Sequence, residues 1–236
     1  MPIRRLTLAL AVVAGLLFAL SGPGVRAGLW PFPTGFLLLR YGAFAGVAAA
    51  LAALVQLASA RLRGGHLSLL IAALIVGAAS AVVPWLWLQR ARSAPPIHDV
   101  TTDPSDPPPF VAVLPLRAEA PNPAAYGGAD VAAAQARGYP DIRPVELASA
   151  PAAALAQARA AATAMGWTIV VVDTAAGRLE ATATTGWFGF KDDIVVRVRP
   201  AAGGSRVDVR SVSRVGGSDV GTNARRIRAF VARLRG

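Results

Sequence analysis

The chain has 236 residues, 54% of them hydrophobic, with a formal net charge of +11 and no cysteine. The missing cysteines exclude a disulfide framework and a thiol nucleophile. A basic excess of this size ordinarily points to nucleic acid, but its distribution speaks against that partner. All 13 acidic residues stand at or after Asp99, and the first 98 residues carry eight arginines and no carboxylate.

Those arginines flank three apolar runs. Leu6–Leu20 is uncharged and extends to Val25. Phe36–Ala60 carries only Arg40, near its start. Leu67–Leu88 ends in Pro84, Trp85 and Trp87, followed by Arg90 and Arg92. About 20 apolar residues cross a bilayer core, and an aromatic pair followed by charge marks the interface. The sequence therefore predicts a membrane domain over residues 1–92 with spans at about 6–25, 36–60 and 67–88. Val25-Arg26-Ala27 also resembles a signal-peptide cleavage site; Pro23 in SGPG fits a helix-ending loop equally well, and the uncleaved span is taken. Arg4, Arg5, Arg61 and Arg63 mark the inner side of the membrane, and Arg26, Arg90 and Arg92 pull the other way. Membrane lipids are the expected partners. The expected location is a bacterial inner membrane with the C-terminal domain in the periplasm. Gly42 and Gly46, at GxxxG spacing, are candidates for close helix packing within the chain or between protomers.

Nine of the 18 prolines fall between Pro95 and Pro123, which forbids continuous helix or central strand. Residues 93–123 are expected to be a tether and packed arm, with Phe110–Leu116 an edge strand interrupted by Pro115. The soluble domain is placed at 124–236. It reads as a short helix at Ala129–Arg137, a strand at Ile142–Leu147, and a helix at Ala152–Met165 capped by Ser149. A buried strand at Trp167–Val172 follows, then a strand at Arg178–Thr184. Two alternating strands come next, Ile194–Arg199 and Arg206–Ser213, and then a final helix with Ile227, Phe230, Val231 and Leu234 on one face. The fold class is thus three transmembrane α-helices followed by an α+β domain. Its antiparallel sheet has the order β-α-β-β-β-β-α, with helices on one face and the other face partly open.

Residues 187–226 hold the densest polar chemistry. Gly189, Phe190, Asp192 and Asp193 open one strand. Arg210, Ser211, Ser213, Arg214 and Gly216 close the next. Ser218, Asp219, Gly221 and Asn223 lead into the last helix, followed by Arg226. This series resembles the C-terminal signature of the domain-of-unknown-function 1499 family, which has no established activity; the resemblance implies an architecture and no reaction.

Asp192 and Asp193 point to opposite sheet faces, which favours ion pairing with Arg210 or Arg214 over joint catalysis. Ser211 and Ser213 share a face, but the only histidines are His66 and His98, and neither is placed as a base. No catalytic residue and no cofactor is assigned. His98, Asp99 and Asp103, with Asp106, form the one His/carboxylate cluster and are weak metal candidates. Arg210, Ser211, Ser213, Arg214, Ser218, Asn223 and Arg226 are the ligand-binding candidates, because arginines and hydroxyls at a helix start suit phosphate or carboxylate. Asp219 competes for the same N–H groups as a cap, and Arg226 is expected to face solvent. Two functions stay open. In the first, the soluble domain binds a partner protein, an envelope component or a lipid headgroup. The alternative is an enzyme or carrier for an anionic membrane-associated substrate, using the 210–226 loop.

Overall fold

The computed structural model describes residues 2–236, which form two compact units. One runs to Arg90 and includes Gly186–Gly189; the other comprises Ala91–Thr185 and Phe190–Gly236.

The first unit holds α1 (Pro2–Arg26), α2 (Phe32–Ala58), a single turn α3 (Ala60–Arg63) and α4 (Leu67–Ser93). Three of these are long and apolar enough to cross a membrane, the two longest at 27 residues. That length is about 40 Å of helix, against a hydrocarbon core of about 30 Å. Their large side chains point outward: Leu51 is 58% and Ile75 62% exposed, as lipid-facing groups are. The inner contacts are made by small residues. Gly42, Gly46, Ala49 and Ala53 of α2 are buried. A Cβ at Gly46 would lie 2.6 Å from the Gly77 carbonyl oxygen, and one at Gly42 would lie 3.1 Å from the Phe18 nitrogen. The GxxxG face of α2 is therefore occupied by α1 and α4 of its own chain. Inside this bundle the buried Gln56 Nε2 donates to Thr7 Oγ1 at 2.6 Å. In the same unit the Trp187 ring packs 5.2 Å from Phe18.

The second unit contains β1 (Asp99–Thr101), a 3-10 turn (Pro115–Arg117), α5 (Gly128–Gly138), β2 (Val145–Leu147) and α6 (Pro151–Ala164). These are followed by β3 (Thr168–Asp173), β4 (Arg178–Thr184), β5 (Lys191–Ala201), β6 (Gly204–Ser213) and α7 (Thr222–Arg235). All pairings are antiparallel, in the order β1-β6-β5-β4-β3, with β2 also on β6. β5 and β6 extend beyond the predicted strands to a tight turn at Ala202 and Gly203. Gly203 takes φ +81°, a backbone that a side chain would strain.

Strict alternation divides the sheet into two faces. Leu179, Ala181, Ala183, Ile194, Val196, Val198, Val207 and Val209 pack on α6 and α7 in one core, where Trp167 stacks on Phe230 at 5.0 Å. Both helices thus lie on one face. The other face is not open, as the alternation alone implied. Phe110 and Val113 pack there on Val195 and Val212, and the proline-rich stretch belongs to the second unit. Its β1 pairs with β6, and the backbone of Thr101 exchanges two hydrogen bonds with the Gln135 side chain of α5. Residues 110–116 do not form the expected edge strand. The Val111 and Val113 N–H groups donate to Glu180 (3.0 and 2.9 Å) instead of to a neighbouring backbone. Two further expectations change. β3 is a half-exposed edge strand rather than a buried one. At α6 the Ser149 hydroxyl bonds Gln157 and makes no cap.

Candidate functional site

The two sheet faces carry the signature residues as two separate polar assemblies. On the helix face, Asp192 of β5 and Arg226 of α7 pair across 2.5 Å, with side chains 3% and 9% exposed. Arg226 also donates to Ser211 Oγ (3.0 Å) and to the Asn223 side-chain oxygen. Ser211 Oγ in turn donates to Asn223 Oδ1 at 2.8 Å. The Asn223 amide donates to Ser213 Oγ and to the His98 carbonyl. Asp219 accepts the N–H groups of Gly221 and Asn223, at 3.0 and 2.5 Å. Ser218 Oγ bonds the Pro95 carbonyl and the Val220 N–H. Every ligand-binding candidate on this face is spent inside the fold.

On the arm face, Arg210 grips Asp99 at two points (3.0 and 2.7 Å). Its guanidinium lies between the rings of Phe110 and Tyr126, at 5.1 and 5.4 Å. Arg214 grips Asp193 at 2.9 and 2.8 Å and donates to the Leu116 carbonyl. Asp193 also accepts from Thr182 Oγ1 and faces Arg117 at 3.5 Å. Beyond them Asp208, fully buried, is ringed by Arg197, Arg199 and Arg206 at 2.8–3.0 Å, with Asp103 alongside. This sheet face carries a layer of ion pairs, buried at Asp99, Asp193 and Arg210 and open to solvent at Arg199 and Arg206.

Burial dominates the electrostatics. It pushes the Asp99 carboxyl above its usual value, and Arg210 pulls it only part of the way back. It raises Asp219 in the same way, against the two backbone N–H groups. Burial also lowers Arg117 and pushes the Tyr126 phenol up to about 12.

Several expectations change here. Arg210 pairs with Asp99, not with Asp192 or Asp193, because β1 brings Asp99 opposite Val212 and onto the Arg210 side of the sheet. Arg226 is held inward by Asp192. His98, Asp99 and Asp103 do not converge, since Asp99 is taken by Arg210 and Asp103 by Arg206 at 2.6 Å. Among the described residues no three His, Asp or Glu side chains are placed to hold a metal ion. Sequence reasoning missed Glu180, Arg117 and Asp208. The available signal was a charge at an inward position of a strand: Glu180 between Leu179 and Ala181 has to find partners if the strand is covered.

Chemically, the assembly holds charge in place and offers little to a substrate. The Ser211 hydroxyl is buried and engaged on both sides, and each carboxylate of the signature faces an arginine or a backbone N–H. A family model described as a protein of unknown function (DUF1499) matches residues 99–234. No curated protein matches the sequence.

Proposed function

The chain belongs to the DUF1499 family, whose function is unknown, and on that premise we propose that it is a membrane-anchored binding module rather than an enzyme. Its second unit takes an anionic envelope component or an acidic partner surface on the outward side of α6 and α7. One observation carries this reading. The arginines of the signature are neutralised internally, whereas Arg159, Arg225, Arg233 and Arg235 stand exposed on these helices. Among the described residues, none of these four has a carboxylate within ion-pairing distance. Uncompensated cations on one face raise the local concentration of anionic partners. The alternative, an anionic substrate on the 210–226 loop, requires breaking the Asp192–Arg226 and Asp193–Arg214 pairs before any ligand enters.

The proposed location is a bacterial inner membrane with the second unit in the periplasm. Arg4 Nε donates to the Leu62 carbonyl at 2.8 Å, so the basic N-terminus and the basic α2–α4 turn lie at one end of the helix bundle, as cytoplasmic anchors do. The test is crosslinking in native membranes, with mass spectrometry of attached proteins and lipids. Adducts on α6 and α7 that disappear in an Arg159→Glu, Arg233→Glu, Arg235→Glu variant support the reading. Adducts on 210–226 that survive that variant favour the alternative.

A further inference from the structure

Among the described residues, the exposed large hydrophobic side chains fall in two places: between Ile3 and Leu88, and at Val111, Leu114 and Leu116. The second group is the only such cluster in its unit. It sits within six residues of the proline-rich arm, between the buried Phe110, Val113 and Arg117. The arm is pinned from beneath, by Glu180 on the N–H groups of Val111 and Val113 and by Arg214 on the Leu116 carbonyl. Part of its backbone closes on itself. The N–H groups of Leu114, Leu116 and Arg117 donate to the carbonyls of Val111, Val113 and Leu114, and Pro115 has none to offer.

That combination narrows the occupant. A strand-docking edge keeps a row of backbone groups free, whereas five of the six N–H groups from 111 to 117 are taken here. A segment that rests against lipid turns apolar side chains outward with its N–H groups largely paired within the protein, and this arm does so. The nearby exposed charges, Glu119 and Lys191, are of opposite sign, so the attraction is apolar rather than electrostatic. The chain carries three helices of membrane length, which makes a bilayer the one apolar phase it always meets. We infer that Val111, Leu114 and Leu116 form a lipid-docking patch that dips into the interfacial layer of the bilayer. This inference is independent of the cationic face on α6 and α7.

The chain has no cysteine, so single-cysteine labels report one site each. The full chain is reconstituted in phosphatidylcholine vesicles with an environment-sensitive fluorophore at Leu114→Cys, at Leu116→Cys, or at Ala156→Cys on the exposed side of α6. Fluorophores at 114 and 116 should be quenched at least twofold more than that at 156 by lipids spin-labelled near the headgroup. They should be quenched less by aqueous iodide, without any anionic lipid. Fluorophores at 114 and 116 that match 156 overturn the proposal. So does shielding from both quenchers, which would place a second copy of the chain on the patch. A variant that fails to show the parent melting transition is replaced by Val111→Cys, read the same way.

Discussion

Asp99 and Arg210 form a two-point ion pair between the edge strand β1 and its neighbour β6, with side chains 4% and 3% exposed. Asp99 lies only six residues beyond the last membrane-length helix, and Arg210 belongs to the signature. The pair fastens the start of the second unit to the second strand of its sheet. Removing one partner leaves a charge buried without compensation, which costs about 3–5 kcal/mol. Asp99→Ala should lower the stability of the second unit by that order. Replacing both residues with apolar ones of similar size should cost less than either single change. Denaturant unfolding of the full chain in detergent, followed by near-UV circular dichroism, measures both.

The acid response follows from the same burial. Asp99 and Asp219 have folded pKa values raised above 3.8. The folded chain holds their protons more tightly, so their contribution to stability is full below 3.8 and falls as pH rises through the folded values. Asp141, held by Arg228 at 2.6 Å, is lowered. Its contribution is present above 3.8 and is lost as pH falls through its folded value. Asp141→Asn should therefore flatten the acid loss of stability below pH 4, and Asp219→Asn should remove a decline on the alkaline side of 3.8. Melting temperature against pH for the two variants separates them.

Val220 has φ +54°, a conformation that strains a β-branched residue by about 1–2 kcal/mol. It is held there by the turn in which Asp219 accepts the Gly221 and Asn223 N–H groups. Val220→Gly removes the strain and adds some unfolded-state entropy. The variant should be as stable as the parent or up to about 1 kcal/mol more stable in the same unfolding experiment.

Much of this architecture is legible in the sequence, because periodicity reports burial directly. The three long apolar runs and the alternation of β5 and β6 predict their elements. The stripe of Ile227, Phe230 and Leu234 does the same for α7. What periodicity cannot show is the partner across space. Asp99 looks like a polar loop residue until β1 pairs with β6, and Arg226 looks like a solvated helix position until Asp192 is found beneath it. How the proline-rich arm is held was opaque for a related reason: side chains bond its backbone, through Glu180, Arg210 and Arg214, and such bonds leave no repeat in the sequence. Gly42 and Gly46 were legible as a packing motif, but their partners, Phe18 and Gly77, were not.

Those glycines give a further prediction. Gly46→Leu places a large side chain against the Gly77 carbonyl, where even a Cβ is too close, and should separate α2 from α4. Disulfide crosslinking between Ala53→Cys of α2 and Ala73→Cys of α4, which share one buried cluster, should be efficient in the parent background and fall severalfold with Gly46→Leu. Unchanged crosslinking would mean that the two helices do not rely on this contact.

The account stands or falls on the signature residues serving the fold. Thermal melting of the full chain carrying Arg226→Met, Asp192→Asn or both, with and without phosphate, tests this most directly. The prediction is that each single change costs several kcal/mol, that the double change costs clearly less than their sum, and that phosphate shifts parent and variants alike. An Arg226→Met protein that melts like the parent without phosphate, while the parent alone is stabilised by it, would contradict the account and make the loop an anion site.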